Sequence, residues 1–333
     1  MTLLSFLASA LLTAAYVFLI WWIDRYEREP LKLLAIAFLW GALPAVLASA
    51  LFESALGRLW IALFEDYADL ISSSFVAPPI EEVLKGLAVW ALYRLARYEF
   101  DGVLDGIVYG SLVGFGFAMT ENALYFWSAQ AKGDLGHWAA VVVGRGIVFG
   151  LNHALFTSLT GIGLGIMRYW KHRGAKILAA LLGLGAAMLA HALHNAFVAS
   201  DFCLVSLVLD WAGVLVVLGI ILLAWQRERA WMQTHLIEEV EAGLLTKAEL
   251  DLIASRGRRY REAMRALGKN GNLKRARLWQ AFANTAAELA FKKHQLAAMG
   301  EESGNSVHIA RLRERLEALR AQLAPQETAC EGG

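Results

Sequence analysis

The sequence predicts an all-α protein, a polytopic membrane helix bundle of about seven transmembrane helices with the N-terminus outside, the C-terminus inside, and a helical cytoplasmic tail. Three observations predict it. Of the 333 residues, 58% are hydrophobic and only 18% are charged. The charge is unevenly placed: apolar runs of the ~20 residues needed to cross ~30 Å of hydrocarbon recur through residues 1–225, whereas 226–333 read like a soluble helical segment. Lys and Arg concentrate in alternate connecting loops. The expected division is therefore a membrane domain over 1–225 and a cytoplasmic helical tail over 226–333.

The first span is read at 3–23. The N-terminus lacks a basic n-region and a small-residue cleavage site, so this segment is expected to be retained. The second is read at 31–52. The third, 71–95, holds Pro78-Pro79 just ahead of Glu81, Glu82 and Lys85. The prolines should break or cap the helix, freeing backbone groups that are tolerated at depth only against protein or water. The fourth, 103–127, carries Gly102, Gly106, Gly110 and Gly114 at four-residue spacing, a stripe that lets a neighbouring backbone approach closely. Tight helix packing explains the stripe without chemistry. The fifth, 139–168, is long enough to require tilt or projection. The sixth and seventh are read at 176–200 and 204–225.

The positive-inside rule orients these spans. Arg25, Arg28 and Lys32 follow the first, Arg94 and Arg97 the third, and Arg168, Lys171, Arg173 and Lys176 the fifth. The alternate loops offer only Arg58 and Lys132. In the tail, Thr246 and Glu249 form a capping box. Ile309, Leu312, Leu316, Leu319 and Leu323 alternate by three and four residues, as in a short coiled-coil seam or a helical hairpin. Pro325–Gly333 is expected to be disordered. Cys203 and Cys330 fall on opposite sides of the membrane and are not expected to pair. The net charge of +1 says nothing about nucleic acid, no basic patch interleaved with aromatics stands out, and no nucleic-acid partner is expected.

Charged groups at membrane depth cost ~2.5–3.5 kcal/mol each on insertion scales, so they usually have a task or a partner. Glu53 and Asp105, near span ends, read as interfacial. The remaining groups lie deeper. At ~1.5 Å per residue, Glu81 lies ~15 Å from the outer face, Glu121 and Arg145 ~9 Å, His153 ~21 Å, His191 ~13 Å and Asn195 ~8 Å. Four helices thus place polar groups in the middle and outer bilayer, which points to one shared site reachable by water. Glu81 and Lys85 share a face, as do His191, His194 and Asn195. Asn122, Asn152 and His153 complete the set.

This set suits peptide hydrolysis, which needs an activated water, a base and donors for an oxyanion. Glu81, or alternatively Glu82, is the candidate base. His153 would position the water or bind a metal. His191 and Asn195 would supply a further ligand or the oxyanion donors. Lys85, Glu121, Asn122, Arg145 and His194 are read as supporting. A divalent metal such as zinc, held by His153, His191 and Glu121, and a metal-free glutamate mechanism both remain open. No nucleophilic triad and no H-E-x-x-H is present. Each group also has a plain structural reading: Arg145 as a neutraliser of Glu121, Lys85 as a partner of Glu81 or Glu82, His194 as a packed core histidine. The functional rivals are a proton-coupled transporter, which uses the same residue types, and a non-catalytic scaffold.

Five motifs carry a resemblance: Asp24-Arg25-Tyr26-Glu27-Arg28-Glu29-Pro30, Glu81-Glu82-x-x-Lys85, Phe117-x-x-x-Glu121-Asn122, His153-Ala154-Leu155-Phe156-Thr157 and His191-x-x-x-Asn195. In these the sequence resembles the PrsW family of bacterial intramembrane proteases, over roughly residues 16–200. That family is related to the CAAX-processing proteases and to the APH-1 subunit of gamma-secretase, the latter supplying the scaffold reading. The resemblance implies site-1-type cleavage of a single-span, membrane-anchored substrate such as an anti-sigma factor, near its extracytoplasmic face, in the bacterial inner membrane. The CAAX proteases carry F-x-x-x-H where this chain has Glu121, which speaks against a prenylated substrate. The tail has no counterpart in the family core and is expected to serve an unknown partner.

Overall fold

The computed structural model describes residues 2–24, 29–64, 67–255, 257–259, 261–262, 264–265, 273–301 and 304–323. Arg25–Arg28, Cys330 and Pro325–Gly333, on which several of the expectations above fall, lie outside the described residues. All regular structure among the described residues is helical. The described residues fall into two compact units, 2–24 with 29–222, and those from 223 onward.

In the first unit, α1 runs Thr2–Ile23, and α2 (Leu31–Trp40) continues through a π turn, Gly41–Ala45, into α3 (Val46–Phe64). The short α4 (Ala68–Ile71) joins α5 (Ala77–Leu95) through a second π turn, Ser72–Val76. Then come α6 (Val103–Lys132), α7 (Leu135–Val143), a third π turn at Gly144–Val148, α8 (Asn152–Tyr169), α9 (Arg173–Ala199) and α10 (Cys203–His235). Pro78 and Pro79 occupy the first turn of α5, where a missing N–H and a fixed φ cost little.

Six helical stretches are long and apolar enough to cross a membrane. The expected third span, carried by α4 and α5, is not among them, because Glu81, Glu82 and Lys85 interrupt its apolar run. α6 is the central helix: 78% of its apolar window is buried, against 17–33% for the other five stretches. Its glycines explain this position. A Cβ at Gly106 would stand 2.1 Å from the Gly161 carbonyl oxygen, and one at Gly161 would stand 1.8 Å from that of Gly106. Gly110 and Gly114 meet the backbone at Thr157 and His153 in the same way. Small residues thus bring α6 and α8 into backbone contact, the packing expected of the stripe. Gly102 is the N-cap of α6, with Asp105 accepting from its N–H at 2.6 Å, so Asp105 has a defined capping task. At the same end, Asp24 accepts from the Glu29 N–H at 3.0 Å, and the Tyr109 hydroxyl donates to Glu29.

In the second unit, α11 (Ile237–Glu241), α12 (Lys247–Ile253), α13 (Leu273–Met299) and α14 (Asn305–Leu323) follow the end of α10. α13 and α14 form a hairpin. Ile309, Leu312 and Leu316 are buried in a shared core with Phe282, Leu289, Met232 and Leu236, and Leu319 and Leu323 pack against it. The capping box is present: Thr246 accepts from the Glu249 N–H at 3.2 Å, and Glu249 accepts from the Thr246 N–H at 2.7 Å. Arg313 pairs with buried Glu239 at 2.9 Å.

Candidate active site

The site is assembled from α5, α6, α8 and α9. Lys85 is its hub. Its ammonium is fully buried and lies 3.0 Å from Glu81 Oε2, 2.7 Å from Glu82 Oε1 and 3.3 Å from His153 Nδ1, with the Phe117 ring beneath it at 4.0 Å. The i,i+4 and i,i+3 spacings on α5 place both carboxylates on the lysine's face. Lys has no acceptor, so His153 Nδ1 presents its lone pair to Lys85. The other ring nitrogen, Nε2, then donates to Glu121 Oε2 at 2.8 Å. Arg145 closes this branch, reaching Glu121 Oε2 at 2.7 Å and Asn122 Oδ1 at 3.1 Å while lying over the Tyr125 ring at 3.7 Å.

Glu82 is saturated. Oε1 accepts from Lys85 and from His191 Nδ1 at 3.0 Å, and Oε2 accepts from the Thr157 hydroxyl at 3.0 Å. Its side chain is fully buried, whereas that of Glu81 is 8% exposed. Donation from His191 Nδ1 leaves Nε2 unprotonated, 4.0 Å from Glu81 Oε2. That separation is too long for a direct bond and suits one bridging water. Phe156 stacks on His191 with centroids 4.8 Å apart and 19° between planes, which fixes the imidazole.

A cavity of about 290 Å³ opens onto this network. Of the ten residues given a catalytic or supporting role from sequence, seven line it: Glu121, Asn122, Arg145, His153, His191, His194 and Asn195. The other three, Glu81, Glu82 and Lys85, are not part of its wall and adjoin it through His153 and His191. Two of the seven are engaged elsewhere than expected. Asn195 donates to the Ser73 carbonyl in the π turn before α5, at 2.8 Å. His194 turns toward α10, contacting Asp210 at 2.8 Å and Ser206 at 2.8 Å. Asp210 and Ser206 were missed in the sequence. The available signal was a lone acid in an otherwise apolar helix with a hydroxyl four residues before it.

The depth estimate for His153 needs correction. Counting an unbroken helix from residue 139 puts it ~12 Å deeper than Glu121, yet the two side chains touch. The helix is not unbroken. It passes through the π turn at Gly144–Val148, leaves the helical path at 149–151 and restarts at Asn152, so the rise per residue fails there.

Glu81, Glu82, His153 and His191 can each offer one ligand atom, and the four atoms lie within 4.8 Å of one another. Two carboxylates and two imidazoles are the donor types of zinc and similar ions, so the set fits a divalent cation in chemistry and number. Glu121, placed among the ligands on sequence grounds, stands one step out and orients His153, because Arg145 draws its carboxylate away. Lys85 contacts three of the four donors, so its ammonium and a metal ion compete for one cradle.

Residues 29–226 match the model of the PrsW family, described as intramembrane metalloproteases. The chain is 32% identical over 202 residues to the protease PrsW of Clostridioides difficile (strain 630), covering 60% of this chain and 78% of that protein. It is 29% identical over 155 residues to the protease PrsW of Geobacillus kaustophilus (strain HTA426), covering 44% and 59%. A third relative, the protease PrsW of Bacillus subtilis (strain 168), is 29% identical over 149 residues, 44% of this chain and 61% of its own. No solved structure matches.

Proposed function

The chain belongs to the PrsW family of intramembrane metalloproteases, and from that membership we propose that it cuts a single-span membrane protein of the anti-sigma-factor type near its extracytoplasmic face, in the bacterial inner membrane. The observation that carries the reading is the continuity of the polar network. Lys85, both glutamates, His153, His191, Glu121 and Arg145 form one chain of contacts across four helices and open on a cavity.

In this reading Glu81 is the base. Glu82 already accepts three hydrogen bonds and is fully buried, whereas Glu81 accepts from Lys85 alone and keeps some exposure. Glu81 and His191 Nε2 both face the 4.0 Å gap between them and would hold the attacking water there. Glu81 takes the water's proton as its oxygen bonds to the scissile carbonyl carbon. The same carboxyl then returns a proton to the leaving amine as the C–N bond breaks. Lys85 offsets negative charge beside the developing oxyanion. Glu121 and Arg145 fix the His153 ring. If a divalent metal is bound, Glu81, Glu82, His153 and His191 would hold it, and it would acidify water at this position.

The test uses purified protein with a tagged single-span substrate panel, and reads bound metal alongside cleavage. Wild type is expected to cut at least one substrate. Glu81→Gln and His153→Ala should each abolish cleavage with expression intact, and the double variant should be no worse than either, because the groups act as a unit. Undiminished cleavage by both variants would remove these roles. Substrate-driven proton flux in liposomes without proteolysis would favour transport instead.

A further inference from the structure

α10 is an apolar helix with 17% of its spanning window buried, yet it holds a carboxylate, Asp210, that is 5% exposed. Three donors converge on one oxygen of that group. Asn152 Nδ2 lies 2.9 Å from Asp210 Oδ2, Ser206 Oγ 3.1 Å and His194 Nδ1 2.8 Å. Asn152 Nδ2 and Ser206 Oγ also lie 3.0 and 2.8 Å from His194 Nδ1, but both direct a proton at Asp210, and a carboxylate only accepts; His194 therefore carries its proton on Nδ1 and presents a lone pair at Nε2. No described residue partners Nε2, and His194 is part of the cavity wall. Phe149 holds the ring edge-on at 5.0 Å. The arrangement leaves a fixed hydrogen-bond acceptor on a residue of the cavity wall.

Such an acceptor meets a need peculiar to this chemistry. A peptide bond is reachable only if the substrate helix unwinds around it. Its main-chain N–H groups then lose their intrahelical partners, at several kcal/mol each in a medium without water. We propose that His194 Nε2 accepts a hydrogen bond from a main-chain N–H of the unwound substrate beside the scissile bond. Asp210 is the positioning residue that keeps that nitrogen unprotonated. The proposal rests on the proteolytic reading above. Its rival is a structural one, in which Asp210 only anchors α10 to the start of α8 through Asn152.

The two separate in steady-state kinetics of the full-length protein in detergent, with one tagged single-span substrate that the wild type cuts. His194→Ala should raise KM about tenfold at nearly unchanged kcat, the signature of lost binding shared by ground and transition states. His194→Gln keeps an acceptor oxygen near the Nε2 position and should recover part of that loss. Asp210→Asn lets a carboxamide donate to Nδ1 and drives the proton to Nε2. It should raise KM in the same sense and add nothing on the His194→Ala background. An anchoring role would instead lower kcat, through fewer active molecules, at unchanged KM, and would overturn the proposal. Should Asp210→Asn fail to fold, the Ala and Gln variants at 194 decide the matter with Asp210 intact. A wild type that cuts none of the substrates would sink the proteolytic reading itself. A wild type that cuts, with KM unmoved in His194→Ala, sinks this inference alone.

Discussion

Lys85 shows how one side chain can decide what a site holds. Its ammonium satisfies two buried carboxylates at 3.0 and 2.7 Å, and removing one partner from a buried ion pair costs ~3–5 kcal/mol. Lys85→Met should therefore destabilise the protein strongly in the presence of chelator. Added zinc should restore stability, because a divalent ion can take over the charge that the ammonium balanced. Thermal unfolding with and without zinc checks this, and equal unfolding in both would mean that the four donors do not form a metal site. A second residue, His294 in the tail, stacks on Trp231 at 3.9 Å and is held down to about 4 by burial first, then by the positive neighbours His235 and Arg227. Its folded pKa lies below the ~6.5 of a free histidine, so the unfolded chain binds the proton more readily. The stability it contributes is complete above about 6.5 and is lost as pH falls from there toward 4. His294→Gln should flatten the acid limb of tail unfolding, followed by amide exchange over α13 and α14. At this scale the sequence was informative where groups clustered at helical spacing: Glu81, Glu82 and Lys85 do meet. It was uninformative where partners come from distant helices. Nothing local distinguishes Asn195, which bonds to Ser73, from His194, which bonds to Asp210.

Elements were legible to the extent that hydropathy drives them. The expected limits of the first, fourth, sixth and seventh spans overlap the helices found, because a run of apolar residues in lipid has no option but a helix. The three π turns were not legible. Each shifts the helical register by a single residue, and no composition signal accompanies so small a change, although Pro44 lies inside the first. Such turns recur near functional sites, and here Ser72–Val76 supplies the carbonyl that holds Asn195, while Gly144–Val148 carries Arg145. The glycine stripe was read as packing, and it is packing with a consequence for the site. α6 brings Glu121 and α8 brings His153, and their 2.8 Å contact goes with a close approach of the two helices that Gly114 makes at His153 itself and that Gly106 and Gly161 continue farther along. Gly106→Val should force the helices apart, abolish cleavage and lower the melting temperature. Gly185→Ala in α9, where a Cβ meets nothing within 4 Å, should leave both within error. Equal behaviour of the two variants would show that the close approach is not required.

At the scale of the whole molecule, the site has a side, and the side determines where a substrate is cut. Nine Lys or Arg stand in the three short loops expected to be cytoplasmic, against two in the loops expected outside. The bias acts through short loops such as these, largely without regard to acidic residues. A reporter fused at Lys132 should therefore read periplasmic and one at Lys171 cytoplasmic, with the tail beyond Arg229 also cytoplasmic. The cavity residues give this result its functional weight. Asn195 lies near the end of α9 at Ala199, and Glu121 lies in the second half of α6, which ends at Lys132. Both helix ends belong to the face assigned outside, so cleavage should fall in the outer half of the substrate's span. A tail that reads periplasmic would invert every span. The polar network would be unchanged, since its contacts do not depend on the bilayer, but the cavity would open toward the cytoplasm and the cut would move to the inner half. Mapping the cleaved bond by mass spectrometry, in parallel with the reporters, ties the two together. An outer cut with an inverted topology would mean that the cavity described here is not where the substrate is cleaved.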